Sequence, residues 1–152
     1  KNVLISRMIK ITVIQWINLI TIGKNNPLFV IAKLTDEGNT CTITRNGDKS
    51  DGLIADYDSE DNKSPFYQSC IVNIVFKSGV FYIGAYLFME SFSIQTIEFS
   101  DTIDTVGAYA FWRCGGDTNR TAIPYVFLPR NVTRLKKGAF VGLRVKNFVI
   151  ED

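Results

Sequence analysis

The chain has 152 residues, 46% hydrophobic and 21% charged, with a formal net charge of +2, which suits one small globular domain with a modest core. It contains no histidine, so the usual general base near neutral pH and the commonest metal ligand are both missing. No phosphate loop, dinucleotide fingerprint or nucleophile elbow occurs either. The sequence therefore predicts a protein that is not an enzyme and needs no cofactor.

Residues 1–32 differ from the rest of the chain. Arg7 and Lys10 precede an apolar stretch that runs from Ile11 to Gly23, and read from Met8 this resembles a secretory signal. Asn18 interrupts the stretch, which is shorter than the roughly 20 apolar residues that span a bilayer. The alternative is a β-rich segment packed on the N-terminal end of the domain, and both interpretations stay open.

Residues 33–70 are predicted to form an N-terminal β cap. Thr40–Thr44 and Leu53–Ala55 have strand composition, and the linking segment contains Asn46-Gly47, a pair that favours a hairpin. Cys41 and Cys70 both fall in this cap, where an oxidising compartment would allow them to pair.

An acidic run follows the second of these strands and alternates oxygen-bearing side chains in the manner of a calcium loop. An EF-hand requires glycine at its sixth position and glutamate at its twelfth, where this chain has Asp61 and Tyr67. We therefore interpret Asp56, Asp58, Glu60 and Asp61 as a solvated loop without a metal site.

The remaining residues, 71–152, repeat one pattern. Copies start at residues 71, 94, 123 and 145, and each complete copy has apolar residues at offsets +3, +5, +9, +12 and +17. The fourth copy is cut off by the C-terminus. A period of about 23 residues indicates a solenoid, because each unit is stable only when stacked on its neighbours.

Each unit is predicted to contain a strand, a turn, a short second strand and a short helix, which makes the fold a β-rich α/β solenoid. Side chains alternate along the first strand, so offsets +3 and +5 face the core, and the +12 and +17 residues join them. The predicted core residues are Ile74, Phe76, Ile83, Phe88, Ile97, Phe99, Val106, Phe111, Val126, Leu128, Leu135 and Phe140.

The second copy contains Val106-Gly107-Ala-Tyr-Ala110-Phe111-Trp-Arg-Cys114, and the third contains Leu128-Pro129. These motifs resemble the BspA-type leucine-rich repeat over about residues 65–152. The resemblance implies that Cys114 is a buried free thiol and that Pro65-Phe66-Tyr67 covers the first core layer. It also implies a surface or secreted protein of host-associated bacteria or protists that adheres to host or matrix proteins. Ser91 departs from the family's cysteine, and Lys136 replaces its glycine.

The same alternation points another set of side chains away from the core. Val75, Tyr125, Phe127 and Val149 form an exposed apolar column, which Glu98 interrupts, and such a surface usually marks a partner site. Alternatively, a second sheet, the N-terminal segment or further repeats cover this column.

Basic residues accumulate towards the C-terminus, where no acidic residue occurs between Thr118 and Ile150. This basic patch could attract polyanions such as sulfated glycans, but solubilising charge on loop edges is the more common explanation. The seven residues are Arg120, Arg130, Arg134, Lys136, Lys137, Arg144 and Lys146.

The sequence thus predicts a non-enzymatic, cell-surface or secreted repeat module that binds proteins. The alternatives are an intracellular, cytoplasmic repeat scaffold and a binding module of a larger enzyme. No nucleic acid partner is expected, and contact with a membrane is expected only through a leader or an anchor outside these residues.

Overall fold

The computed structural model describes residues 19–116 and 121–152, which consist almost entirely of strands and turns. The strands are β1 (Leu19–Thr21), β2 (Val30–Thr35), β3 (Thr40–Arg45), β4 (Asn73–Phe76), β5 (Tyr82–Ile83), β6 (Thr96–Glu98), β7 (Thr105–Val106), β8 (Ile123–Leu128), β9 (Arg134–Leu135) and β10 (Val145–Ile150). Within these two ranges the helical elements are two 3-10 helices of three residues, Pro27–Phe29 and Asp36–Gly38.

Strands at equal offsets in successive copies lie side by side in parallel. β4 pairs with β6, which sets Ile74 opposite Ile97, and β8 pairs with β10, which sets Val126 opposite Phe148. The short strands β5, β7 and β9 form a separate three-stranded parallel sheet. Residues with the same offset therefore become neighbours in space.

The N-terminal strands extend the first sheet in the order β1-β2-β3-β4-β6. β2 and β3 are antiparallel and are joined through Asp36–Gly38, and β3 then runs parallel to β4. The predicted hairpin around Asn46-Gly47 is wrong, because both edges of β3 are already occupied by β2 and β4. Leu53 instead bridges Tyr82 in parallel, and Ile54 bridges Gly23.

Of residues 1–32, only 19–32 fall within the described part of the chain. Ile22, Val30 and Ala32 are fully buried in the main core. Cleavage near Ala32 would remove β1 and cut through β2. The leader interpretation of the preceding residues, 1–18, lies outside the described residues.

Aromatic rings run through the core in one series. Phe66, Phe88, Phe111 and Phe140 stand one copy apart, with centroid distances of 5.0, 5.8 and 5.4 Å and interplanar angles of 18°, 13° and 6°. The ring of Phe76 meets Phe88 and Phe111 edge-on at 6.3 and 6.4 Å. Such stacked and edge-to-face pairs add about 0.5–1.5 kcal/mol each beyond burial.

Three predicted core residues are less buried than the other nine. Phe99 and Phe140 are half-buried, and Leu135 is 50% exposed. The prediction that Leu135 lies in the core is therefore wrong in this structure. Its strand, β9, pairs within the described residues only with β7, so nothing covers its other side.

The predicted short helix after the second strand does not form. These segments are successive turns, in which Tyr86, Glu90, Tyr109 and Arg113 all have φ between 53° and 57°. A left-handed residue interrupts helical hydrogen bonding and costs a residue with a Cβ about 1–2 kcal/mol. The third copy has Gly138 and Gly142 at these two offsets, where positive φ carries no such cost.

Candidate binding face

The five residues of the predicted protein-binding face occupy one side of the strands, here called the outer face. Val75 lies opposite Glu98 in the first sheet, and Phe127 lies opposite Val149 in the sheet of β8 and β10. Val75 is half-buried, whereas the other four are exposed. Tyr125 stands two residues before Phe127, on the same side of β8.

Tyr125 and Phe127 form the most apolar part of the outer face. Their side chains are 56% and 54% exposed, and their rings stack at a centroid distance of 5.8 Å with an interplanar angle of 11°. Because each ring supports the other, both are held in place while their remaining surface meets solvent. Val149 extends this aromatic pair onto β10.

A polar ladder occupies the other end of the outer face. Thr96 Oγ1 donates to Asn73 Oδ1 at 2.8 Å, Asn73 Nδ2 donates to Thr40 Oγ1 at 3.3 Å, and Thr40 Oγ1 donates to Asp36 Oδ2 at 2.8 Å. The sequence did not predict this ladder. Its only sequence signal is a polar residue two positions after the start of the first two copies.

The acidic run makes local hydrogen bonds. Asp58 Oδ1 accepts the backbone N–H groups of Glu60 and Asn62 at 2.8 and 2.9 Å, and these bonds to Asn62 and Glu60 hold the pKa of Asp58 below its usual value. Among the described residues, no group of three or more acidic or cysteine side chains could hold a metal ion.

Asp56 belongs instead to a charged cluster between the N-terminal residues and the first copy. It accepts hydrogen bonds from Tyr82 Oη at 2.5 Å, Ala85 N–H at 2.9 Å and Lys24 Nζ at 2.9 Å. Burial opposes the charge on Asp56, but these bonds to Tyr82, Ala85 and Lys24 outweigh it and lower the pKa of the carboxyl group. Burial and the adjacent Asp56 raise the pKa of Tyr82.

Lys136 completes this cluster from two copies away. Its Nζ lies 4.9 Å from the Tyr82 ring centroid and 3.4 Å from Tyr82 Oη, and Lys24 Nζ lies 4.7 Å from the same centroid. The lysine that replaces the repeat glycine therefore bonds back to an earlier copy. It is exposed, as are the other described members of the basic patch: Arg130, Arg134, Lys137, Arg144 and Lys146. Arg120 lies outside the described residues.

The three cysteines are free. Cys41 and Cys114 are buried, and burial raises the pKa of the Cys41 thiol to about 12 and also raises that of Cys114. Cys70 is exposed and free, so the pairing of Cys41 with Cys70 that an oxidising compartment would allow is not formed in this structure. Cys114 Sγ donates to the carbonyl oxygen of Phe88 at 2.8 Å.

Ser91 performs the same task one copy earlier. Its Oγ donates to the carbonyl oxygen of Phe66 at 2.7 Å. The serine thus preserves the bond that the cysteine makes, and its departure from the repeat pattern does not alter the turn.

No helix in the described residues is long and apolar enough to cross a bilayer. The described residues offer an outer face with an aromatic end and a polar ladder, beside a basic C-terminal copy.

Comparison with known proteins places these observations in a family. The family described as BspA type leucine rich repeat region matches residues 62–152, in six copies. A leucine-rich repeat protein from Eubacterium ventriosum has a similar structure, with 17% identity and a TM-score of 0.48 over 82% of this chain and 42% of that one. The chain thus spans less than half of that protein's length.

The leucine-rich repeat protein of T. pallidum, TpLRR, is similar with 20% identity and a TM-score of 0.39, over 82% of this chain and 70% of that one. Among curated proteins, no sequence matches this chain significantly. The family match covers more than half of the chain. The chain therefore belongs to the BspA-type leucine-rich repeat family.

Proposed function

We propose that this chain is a non-enzymatic protein-binding module of a surface or secreted protein, and that it adheres to host or matrix proteins through the outer face. Leucine-rich repeat proteins are typically interaction modules rather than enzymes, which supports the general role. The stacked and exposed pair Tyr125 and Phe127 is the single observation that carries the choice of site.

The pair has the properties of a binding hot spot. Tyrosine and other aromatic residues supply much of the energy at protein interfaces, because they bury a large area at little conformational cost. Residues Asn73 and Thr96 of the polar ladder offer further hydrogen bonds along the same face. If the copies continue as a solenoid, many weak contacts along a rigid face add up to useful affinity.

The basic patch adds a second way to attract ligands. Within residues 19–116 and 121–152, no acidic group pairs with five of its described members, and the acceptor that Lys136 reaches is neutral Tyr82. A partner with acidic groups or sulfated glycan chains would therefore be drawn to the end of the outer face where Tyr125 lies.

The test compares binding of the full chain to immobilised, purified extracellular-matrix proteins before and after Tyr125→Ser combined with Phe127→Ser. We expect the dissociation constant to rise at least tenfold, which is about 1.4 kcal/mol. Phe92→Ser is the matched control, because Phe92 is 45% exposed but lies off the strands. Equal binding by the double variant and the control would exclude the outer face.

An intracellular scaffold is the second candidate, and one observation favours it. Residues 19–32 contribute β1 and part of β2, and they bury Ile22, Val30 and Ala32. A leader cleaved near Ala32 would remove that contribution to the core. Mass spectrometry of the native N-terminus distinguishes the two: a terminus near Ala32 supports export, and retention of Trp16 supports the scaffold.

A further inference from the structure

The turn segments that follow β5 and β7 carry an aromatic cluster that is separate from the outer face. Tyr86 and Tyr109 stand at the same offset in successive copies, and their rings stack at a centroid distance of 5.1 Å with an interplanar angle of 28°. Trp112 meets both rings, at 6.5 Å from Tyr86 and 5.6 Å from Tyr109. We call these three half-buried side chains the turn-face cluster. Their mutual contacts hold each ring in place while part of its surface meets solvent.

Described residues flank the turn-face cluster on both sides along the array. Before it, the N–H of Tyr57 donates to the carbonyl oxygen of Ala85 at 3.0 Å. After it, the third copy has Gly138 at the offset of the two tyrosines, and a Cβ there would overlap the Tyr109 ring. Tyr109 is thus enclosed between Tyr86 and Gly138, and the row of rings ends at the third copy.

The polar atoms of the turn-face cluster point to solvent. Tyr86 Oη, Tyr109 Oη and Trp112 Nε1 make no hydrogen bond within residues 19–116 and 121–152, where no buried side-chain nitrogen or oxygen lacks a partner. A tyrosine hydroxyl both donates and accepts, and an indole N–H donates. A ligand rich in hydroxyl groups would therefore satisfy all three atoms while its apolar groups pack against the rings.

Arg113 stands at the edge of the turn-face cluster with donors to spare. Its guanidinium carbon lies 5.7 Å from the centroid of the Trp112 ring, and its side chain is 61% exposed. One of its nitrogens pairs with Glu90 at 3.3 Å, and Glu90 also accepts hydrogen bonds from Tyr67 and Gln68. A guanidinium group carries several N–H donors, so others stay available for an anion.

Lys137 adds a positive charge next to the tyrosines. Its carbonyl oxygen accepts the N–H of Tyr109 at 3.0 Å, and its exposed side chain forms no ion pair with any described residue. No acidic residue occurs between Thr118 and Ile150, so nearby sequence does not balance this charge. The cluster therefore combines unpaired polar atoms, apolar ring surface and positive charge. A sulfated sugar chain offers the complement of each, in its hydroxyl groups, C–H faces and sulfates.

We propose that the turn-face cluster binds a sulfated glycan. Sugar C–H groups pack against the rings of Trp112 and Tyr86, sugar hydroxyls bond to the tyrosine hydroxyls and the indole N–H, and sulfate groups pair with Arg113 and Lys137. An acidic peptide would supply the charge but fewer hydroxyl groups, so the observations favour the sugar. This site does not depend on the function proposed for the outer face.

The experiment follows binding of a heparin-derived oligosaccharide to the full chain by fluorescence. The chain has two tryptophans, so Trp16→Phe leaves Trp112 as its only indole fluorophore. We expect a saturable change in the Trp112 emission, with a dissociation constant that rises when the salt is raised from about 0.05 to about 0.5 M. An unchanged emission spectrum would overturn the proposal, even if calorimetry detected binding elsewhere on the chain.

Removal of the hydroxyl groups alone tests the site without disturbing the rings. Tyr86→Phe combined with Tyr109→Phe keeps the ring stack and should raise the dissociation constant at least tenfold, because two hydrogen bonds to the sugar are lost. Tyr125→Phe is the matched control, since the same change on the exposed outer face should leave the affinity unchanged. Equal affinities of the double variant and the control would contradict the proposed site.

Two further ligands test the choice of a sulfated sugar. A desulfated oligosaccharide of the same length and a polyglutamate peptide of the same charge should each bind at least tenfold more weakly. Equal binding of the desulfated sugar would exclude sulfate recognition, and equal binding of the peptide would overturn the choice of a sugar. Arg113→Gln should weaken binding of the sulfated sugar more than that of the desulfated one, and an equal effect would exclude the sulfate contact.

The turn-face cluster and the outer face are tested independently of each other. The variant with Tyr125→Ser and Phe127→Ser should keep the affinity for the sulfated oligosaccharide, whereas Tyr86→Phe with Tyr109→Phe should keep the affinity for matrix proteins. Loss of both affinities in either variant, with an unchanged circular dichroism spectrum, would show that the two sites are not separate.

Discussion

The aromatic series through the core predicts that equally buried phenylalanines differ in importance according to their ring contacts. Phe111 and Phe66 are both essentially inaccessible to solvent, with 0% and 1% exposure. Among the described residues, Phe111 meets four rings, those of Phe88, Phe140, Phe76 and Phe99, at 5.4 to 6.4 Å, whereas Phe66 meets only Phe88. Substitution of each by leucine removes the rings but retains most of the apolar volume.

The difference between these two variants is set by three additional ring pairs. At the lower part of the range of about 0.5–1.5 kcal/mol per pair, Phe111→Leu should reduce the free energy of unfolding by about 2 kcal/mol more than Phe66→Leu does. Urea titration followed by circular dichroism measures this difference, provided that both variants keep the wild-type m value. Equal losses would refute the idea that ring stacking between copies, beyond burial, stabilises the array.

Three further predictions concern single sites. Gly142 has a φ of 72°, and a Cβ at this position would lie 3.2 Å from Cγ of Arg113, so Gly142→Ala should lower the free energy of unfolding by about 1 kcal/mol or more, and an unchanged thermal midpoint would contradict this. Only Cys70 should react with a thiol reagent in the native protein, with Cys41 and Cys114 reacting after unfolding, because the latter two are buried; rapid reaction of all three would be inconsistent with the fold. The lowered pKa of Asp56 stabilises the fold above the ordinary carboxyl pKa of about 3.9, and this contribution is lost as the pH falls through the folded value. Asp56→Asn should therefore lower stability by about 1 kcal/mol or less at pH 7 and by a smaller amount at pH 3, and an equal loss at both would exclude an ionic contribution.

The repeated offsets predicted the first strands and the core. Side chains alternate along a strand, and parallel pairing places equal offsets side by side, so the apolar residues of every copy face the same side. Ile74, Ile97 and Val126 were predicted to face inward, and each lies buried within a strand. The exposed pair Tyr125 and Phe127 followed from the same alternation. These features depend only on which residues are apolar and how far apart they stand.

The path between strands was not predictable in the same way. A spacing that fits one helical turn also fits two successive non-helical turns. The structure has the turns, in which residues such as Tyr86 and Arg113 adopt a positive φ that residues other than glycine disfavour. The hairpin was misplaced because Asn46-Gly47 is a local signal, whereas the strand order depends on β3 pairing with the distant β4. Leu135 was misassigned because burial depends on a neighbouring copy, which the offset alone does not supply.

The two departures from the repeat pattern have different physical consequences, because Ser91 keeps the task of the residue it replaces whereas Lys136 adds a new contact. The carbonyl oxygen of the core phenylalanine accepts a side-chain donor from the next copy, supplied by Ser91 to Phe66 and by Cys114 to Phe88. At the glycine offset, a Cβ on Gly84 would meet the carbonyl oxygen of Ala55 at 1.8 Å, so close stacking there excludes a side chain. Lys136 occurs at this offset in the third copy, where its ammonium group reaches Tyr82. In the first copy, the close backbone approach excludes a side chain at this offset. In the third copy, the Lys136 side chain occupies the offset and contacts Tyr82 of the first copy.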